Sequence, residues 1–113
     1  MAGQVVQQRI VASDESLNIG NITVAVPGTA VSLAPVSTPS VPCYEVLIQI
    51  LSTNVGNIYV GGAAVDNTGG SGITLMPVAA GVQPPSIQIS AQNLSQIFID
   101  ADNALEGVNF LYW

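Results

Sequence analysis

The chain has 113 residues, of which 49% are apolar and only 7% are charged, and its formal net charge is −6. That length suits one domain with its own hydrophobic core. Because the sequence has no Lys, no His and one Arg, Arg9, it lacks the cations that nucleic-acid binding requires and the imidazole used in most acid–base catalysis.

Three further exclusions concern membranes, secretion and disulfides. No segment approaches about 18 continuous apolar residues, so no transmembrane helix is predicted. The first residues lack the basic and apolar regions of a secretory signal. The single cysteine, Cys43, has no partner for an internal disulfide, which fits synthesis in a reducing compartment. We predict that Cys43 is a small buried side chain and not a nucleophile.

Residues 1–22 are polar with two short apolar runs. They are either a terminus that contains one strand or an arm that lies on a neighbouring subunit, and the sequence leaves both interpretations open. We treat residues 1–22 as an N-terminal arm and residues 23–113 as the folded domain. The contact candidates in the arm are Val5, Val6, Arg9, Ile10 and Val11.

From Thr23 onward, short runs rich in Val, Ile, Tyr and Phe alternate with Gly, Pro and Asn, a pattern typical of strands joined by turns. No segment has the length and period of a helix. The pattern predicts an all-β fold, a small antiparallel sandwich or barrel of jelly-roll or immunoglobulin-like type with seven or eight strands. The candidate strands are residues 23–26, 30–34, 44–51, 57–61, 72–76, 86–90, 96–100 and 108–113.

Alternation along the strands predicts which side chains face the core. The inward residues of residues 44–51 are Tyr44, Val46, Ile48 and Ile50. The same rule buries Ile87, Ile89, Ile97 and Ile99 and exposes Gln88. It leaves Phe98 on the face opposite to the core.

Two stretches of the chain are similar at an offset of 39 residues. Residues 48–62 read IQILSTNVGNIYVGG, and residues 87–101 read IQISAQNLSQIFIDA. The shared isoleucines and the pair Asn54 and Asn93 favour a duplicated hairpin within one sandwich over chance similarity, with each Asn supporting a turn. The aromatic residues Tyr59 and Phe98 occupy equivalent places, so we predict that both face outward and contact another protein.

The sequence offers no catalytic set, and we predict no enzyme activity, no cofactor and no dedicated metal site. The acidic stretch DADNALEG, residues 100–107, opens like a calcium loop, but Ala104 and Leu105 stand where an EF-hand requires a ligand and a glycine. A solvated acidic turn is the favoured interpretation, and a calcium loop of another kind stays open. The glycine-rich residues 67–72 lack the lysine and helix of a phosphate loop.

The predicted strands contain few charges and no Lys, although sheet edges are commonly protected by such charges. These edges therefore need to be covered by loops, by prolines or by another chain. We predict a homo-oligomer, with a trimer favoured and a dimer as the alternative.

Six motifs carry a resemblance to a known group of proteins: GTAVSLA (28–34), VPCYEVLIQI (41–50), NVGNIYVGGAAV (54–65), GITLMPVAAG (72–81), NLSQIFIDAD (93–102) and EGVNFLYW (106–113). Over residues 24–113 the chain resembles small virion proteins of tailed bacteriophages. It departs from their pattern at Val55, at the inserted residues 82–86 and at Glu106.

The resemblance implies a structural role as a capsid decoration or cement protein. Such a protein is made in the host cytoplasm, binds the major capsid protein on the exterior of the head and braces neighbouring coat subunits. Two alternatives stay open at this point. One is a tail, neck or fibre component of the virion, and the other is a module that binds carbohydrate or the host surface.

Overall fold

The computed structural model describes residues 17–113, which form two four-stranded antiparallel sheets packed face to face. The predicted all-β sandwich is thus confirmed. A single 3-10 turn, Leu94–Gln96, is the only helical element in this part of the chain. The strands are β1 (Asn18–Val24), β2 (Val31–Ser32), β3 (Glu45–Ile50), β4 (Ile58–Gly61), β5 (Ile73–Leu75), β6 (Ser86–Ser90), β7 (Phe98–Ala101) and β8 (Glu106–Tyr112).

The strand pairs are nested along the chain. The first sheet has the order β1-β8-β3-β6 and the second sheet the order β2-β7-β4-β5. Strand β1 therefore pairs with β8, β2 with β7, β3 with β6 and β4 with β5, all antiparallel. An antiparallel ribbon of nested pairs that wraps into two sheets is a jelly roll, which decides between the two predicted sandwich types.

The core is filled by the inward residues of both sheets, as strand alternation predicted. Val46, Ile48 and Ile50 of β3 are buried, and so are Ile97 and Ile99 beside and within β7. They belong to one continuous apolar cluster that also includes residues of β1, β4, β5 and β8. Burial of each such side chain stabilises the fold by about 1.5 to 3 kcal/mol.

Tyr44 was predicted to face the core, and this prediction is wrong, because its side chain is 81% exposed. The chain bends at Tyr44 and β3 begins only at Glu45, so the alternation does not extend that far. Ile87 and Ile89 pack against the core but are only half-buried, since β6 is an edge strand. Gln88 between them is exposed, as predicted.

Strand β1 begins five residues earlier than the predicted strand at Thr23. It runs from Asn18 to Val24, so the division drawn between residues 22 and 23 falls inside a paired strand. The sequence NIGN hid the strand, because Gly and Asn are unfavourable there. Gly20 is required by packing: a Cβ at this position would lie 2.3 Å from Cζ of Phe110, its partner on β8.

The two similar stretches prove to be equivalent strand pairs, but they are not hairpins. In each copy the first strand lies in the first sheet and the second strand in the second sheet: β3 and β4 in one copy, β6 and β7 in the other. Strand β3 pairs with β6, and β4 pairs with β7. The copies therefore run side by side from one sheet to the other.

The repeated asparagines hold the connections between the sheets. The buried Asn54 donates from Nδ2 to the carbonyl oxygen of Gly107 at 2.8 Å. Asn93 accepts the backbone N–H of Val41 at 3.0 Å and caps the 3-10 turn through Ser95 N–H. Both side chains bond to backbone more than 50 residues away in sequence, which goes beyond the local turns predicted for them.

Candidate protein interface

The outward side of the first sheet carries an apolar row across three neighbouring strands. Ile19 of β1 lies opposite Leu111 of β8, and Leu111 lies opposite Leu47 of β3. Ile19 is 79% exposed, and the other two side chains are half-buried. Side chains in such a cross-strand row touch one another, so the row is one continuous apolar strip on the surface.

A row of amide side chains runs beside the apolar row. Asn21, Asn109 and Gln49 lie opposite one another in register, and Asn21 Nδ2 donates to Asn109 Oδ1 at 2.9 Å. Each amide both donates and accepts hydrogen bonds, so the row can pair with the backbone of another segment. We call the outward side of the first sheet, with Ile19, Asn21, Leu47, Gln49, Asn109 and Leu111, the open face.

The open face is concave. A groove of about 680 Å³ lies over it, and its further lining residues include Ser86, the first residue of the edge strand β6, and Gln83 in the preceding loop. Among residues 17–113, no charged side chain lines this groove. The one acid on the outward side of the first sheet, Glu45, lies beyond the groove and accepts hydrogen bonds from Ser90 Oγ at 2.6 Å and Gln88 Nε2 at 3.2 Å.

The outward side of the second sheet differs, because loops of the same chain cover it. Tyr59 of β4 points away from the core but is only 7% exposed. The loop of residues 62–72 passes over it, so that a Cβ on Gly69 would lie 3.8 Å from Tyr59 Cε1. The Tyr59 hydroxyl donates to Asp102 Oδ1 at 2.8 Å. We call this side, with Tyr59, Phe98 and Asp100, the covered face.

Two hydrogen bonds fasten the loops to strand β7 on the covered face. Asn67 Nδ2, in the loop of residues 62–72, donates to the carbonyl oxygen of Ala101 at 3.3 Å. The backbone N–H of Gly28, in the loop between β1 and β2, donates to Oδ1 of Asp100 at 3.0 Å. Asp100 is fully buried beneath that loop. The covered face is thus closed by contacts within the chain.

The acidic turn after β7 uses its carboxylates to bind backbone. Asp102 accepts the N–H of Asn57 at 3.1 Å, and Glu106 accepts the N–H groups of Val55 at 2.7 Å and Gly56 at 2.9 Å. Within residues 17–113, no group of three or more His, Cys, Asp or Glu is arranged to hold a metal ion. The favoured prediction was a solvated acidic turn, and it did not include these bonds to backbone of the same chain. Calcium binding by residues 100–107 stays an open prediction.

The environment of Tyr59 raises the pKa of its phenol. The hydrogen bond from Asn57 lowers this pKa, but burial, the hydrogen bond to Asp102 and the negative charges of Asp102 and Asp100 together outweigh it. The phenol therefore stays protonated and keeps its hydrogen bond to Asp102. The Tyr59 hydroxyl therefore stabilises the fold through its hydrogen bond to Asp102.

A second depression, at the end of the sandwich where β1 begins, has aromatic walls. Tyr44, Tyr112 and Trp113 line it, together with the amide residues Asn18 and Gln92. Its volume is about 470 Å³. Aromatic faces and amides without a charge form a surface that suits neutral polar ligands with apolar ring faces.

Burial also raises the pKa of the Cys43 thiol, and the negative charge of Glu45 adds to the increase. The thiol is buried and donates to the carbonyl oxygen of Ala91 at 3.2 Å. The prediction of a small buried side chain is confirmed.

The contact residues predicted from the sequence lie in different places. Those of the arm, residues 5, 6 and 9–11, fall outside the described residues. Tyr59 and Phe98 both lie on the covered face, where Tyr59 is buried and Phe98 is half-buried. Their role as contact residues stays a prediction.

Sequence reasoning did not single out the residues of the open face. The signal was present in the alternation of residues 44–51, whose outward set includes Leu47 and Gln49. Two leucines, Leu47 and Leu111, on outward positions of neighbouring strands indicate a surface that binds another molecule. Only the strand register shows that they are neighbours.

Comparisons with protein families, with curated proteins and with solved structures each gave no match to this chain. The described residues contain no helix long and apolar enough to cross a membrane.

Proposed function

We propose that this protein is a structural component of a tailed bacteriophage virion, a decoration or cement protein that binds the major capsid protein on the head exterior. The open face carries the proposal. Apart from Glu45 beyond its groove, it is an uncharged and partly apolar side of a chain whose net charge is −6. Such a surface, with an apolar strip flanked by hydrogen-bonding amides, has the composition of a protein interface.

Three further observations support this role. The strand and turn motifs resemble those of small phage virion proteins. The jelly roll is a common fold of viral capsid domains, although fold alone does not define function. Residues 17–113 contain acids but no Lys or Arg, so this domain would be repelled by packaged DNA, which favours the exterior of the particle.

The test is binding to particles that lack the protein. Leu111→Glu places a charge in the apolar row and should weaken binding at least about tenfold, because burial of an unpaired charge is unfavourable. Val36→Glu places the same charge on a loop residue that is 99% exposed and should bind like the wild type. Equal binding of both variants would refute the open face as the contact surface.

The location and the oligomeric state are measured separately. Mass spectrometry of separated heads and tails should find the protein in the head fraction, and its presence in tails alone would favour a tail, neck or fibre component. Analytical ultracentrifugation should show a trimer, with a dimer as the alternative. A monomer that does not bind capsids would refute the proposal.

A carbohydrate-binding module is the second candidate, favoured by the aromatic depression. Tyr44 and Trp113 offer ring faces for a sugar, and Gln92 offers an amide for its hydroxyl groups. The jelly roll is also found in lectin domains. A glycan-array signal that is lost in Tyr44→Ala and kept in Leu111→Glu would establish this function in place of the first.

A further inference from the structure

The open face lies next to the point where the described chain begins. Leu17 directly precedes β1, and Ile19, two residues later, is the most exposed member of the apolar row. Sixteen residues precede Leu17 in the sequence. We propose that residues 4–11 of this segment, QVVQQRIV, bind in the groove on the open face of their own chain, with Arg9 paired to Glu45.

The distances allow this contact within one chain. Trp113 and Glu45 exchange backbone hydrogen bonds, so they are neighbours across the sheet. Asn18 pairs with Tyr112, and therefore Leu17, the residue before Asn18, lies beside Trp113. Leu17, Trp113 and Glu45 thus follow one another across the sheet. Neighbouring strands are about 4.8 Å apart, which places Glu45 about 10 Å from Leu17. The eight steps along the chain from Arg9 to Leu17 span up to about 28 Å when extended, enough to reverse and reach Glu45.

The composition of the segment matches that of the groove. Residues 4–11 contain two apolar pairs, Val5-Val6 and Ile10-Val11, and three glutamines. The groove offers the apolar row for the aliphatic side chains and the amide row for backbone or glutamine amides. Arg9 is the one charged residue of residues 4–11, so the segment fits the uncharged groove if the Arg9 side chain lies at the edge of the groove and not inside it.

Arg9 and Glu45 supply that charge pair. Arg9 is the only cation of the chain, and Glu45 is the one acid on the outward side of the first sheet. Its carboxylate accepts one bond at each oxygen, from Gln88 and Ser90, and a carboxylate has about four acceptor positions, so capacity remains for a guanidinium.

Among the other acids of residues 17–113, Asp100 is fully buried, and Asp102 and Glu106 bind backbone N–H groups. Asp66 lies on the far side of the sandwich, in the loop of residues 62–72. Glu45 is therefore the partner that the fold offers to a cation arriving over the open face.

The chain's own segment is favoured over that of a second copy by effective concentration. A tether of a few residues between Leu17 and the segment gives an effective concentration of order millimolar, far above that of free copies in dilute solution. The contact should thus form in the free protein and be independent of protein concentration. Docking of residues 4–11 would be a property of the free protein, whether or not the protein is a virion component.

Trypsin gives a direct measurement, because the full chain contains one Lys or Arg in total and is therefore cleaved only after Arg9. Docking of residues 4–11 should slow this cleavage at least about fivefold relative to a synthetic peptide of residues 1–16, since docked chain is protected from proteolysis. The rate should not depend on protein concentration.

Two variants of the groove sharpen the test. Glu45→Gln keeps the shape but removes the charge, and Leu111→Asn interrupts the apolar row, so both should accelerate cleavage towards the rate of the peptide. Asp66→Asn and Val36→Asn make the corresponding changes away from the open face and should leave the rate unchanged. Thermal unfolding of each variant shows that the sandwich is intact.

The cleavage rates distinguish docking of residues 4–11 of the same chain from docking of the segment of a second copy. Cleavage of the wild type as fast as the peptide, or equal acceleration by the variants and their controls, overturns the proposal. Protection that increases with protein concentration also overturns it and assigns the groove to the segment of a second copy. Because no capsid is present, failure here leaves the binding test on particles unaffected. A coat protein that binds the open face would have to displace residues 4–11 first.

Discussion

The open face and the covered face have similar strand frameworks but opposite surroundings. Over the covered face, the loop of residues 62–72 and the loop containing Gly28 bond to β7 and enclose Tyr59 and Asp100. Over the open face, the described chain provides no such loop, and Ile19 is left 79% exposed. The difference teaches that the outward aromatic residue serves stability here, while the outward leucines are available for binding.

The strongest test of this comparison exchanges one outward residue on each face for alanine. Tyr59→Ala should lower the free energy of unfolding by about 3 to 5 kcal/mol, because it removes a buried aromatic side chain and its hydrogen bond to Asp102. Leu47→Ala should cost about 1 kcal/mol or less, since its side chain is half-exposed. Urea unfolding measures both, and similar values for the two variants would contradict the comparison.

A smaller effect is expected from the loop that covers Tyr59. Val65 is buried in that loop and packs against Gly61 of β4. Val65→Ala should destabilise the protein by about 1 to 2 kcal/mol through loss of two methyl groups. Val55→Ala is the matched control, because Val55 is 80% exposed, and its Tm should not change. A neutral Val65→Ala would mean that the loop does not hold the covered face closed.

The covered phenol should also produce a stability change at alkaline pH. Because the pKa of Tyr59 is raised in the folded protein, the protonated phenol stabilises the fold below the unfolded pKa of about 10, and this contribution is lost as pH rises through the folded value. Wild-type protein should therefore lose stability in this range more steeply than Tyr59→Phe. Parallel Tm-against-pH curves for the two proteins would show that the phenol is not shielded.

The smallest change in stability is expected on the open face. Ile19→Thr keeps the β-branched shape that suits a strand but removes apolar surface, and Ile19 is already largely exposed. The free energy of unfolding should change by no more than about 0.5 kcal/mol. The proposed docking of residues 4–11 does not change this expectation, because a fivefold protection corresponds to about 1 kcal/mol shared by the whole groove. A loss of several times 0.5 kcal/mol would contradict the comparison of the two faces.

Local sequence patterns were sufficient to predict most strands and their buried faces, but not where each strand begins or what covers its outward face. Alternation in residues 44–51 placed Val46, Ile48 and Ile50 in the core, because period-two patterns reflect burial directly. The same signal failed at Tyr44, where the chain bends before the strand begins. It also missed the start of β1, whose glycine is set by the Phe110 ring on a strand 90 residues away.

The candidate interface could not be predicted from any single segment, because it depends on which strands pair and on which loops cover them. The equivalence of Tyr59 with Phe98 in the repeat placed Tyr59 on the outward side correctly, but its burial results from a loop whose path the sequence did not predict. The apolar row requires Ile19, Leu111 and Leu47 to be in register across three strands. Such a row is set by long-range pairing, and one residue of slippage would move each side chain to the other face.

The nested pairing of strands also determines when the protein can complete its fold. Strand β8 lies between β1 and β3, and its Asn109 bonds to Asn21, 88 residues earlier. At a synthesis rate of about 5 to 20 residues per second, β1 waits on the order of 4 to 18 seconds for its partner to be made. During that time β1 and the side of β3 that will face β8 have no strand on those edges and no Lys to discourage aggregation. The period of greatest risk for this protein is therefore its own translation, and slow pairing of distant strands extends it.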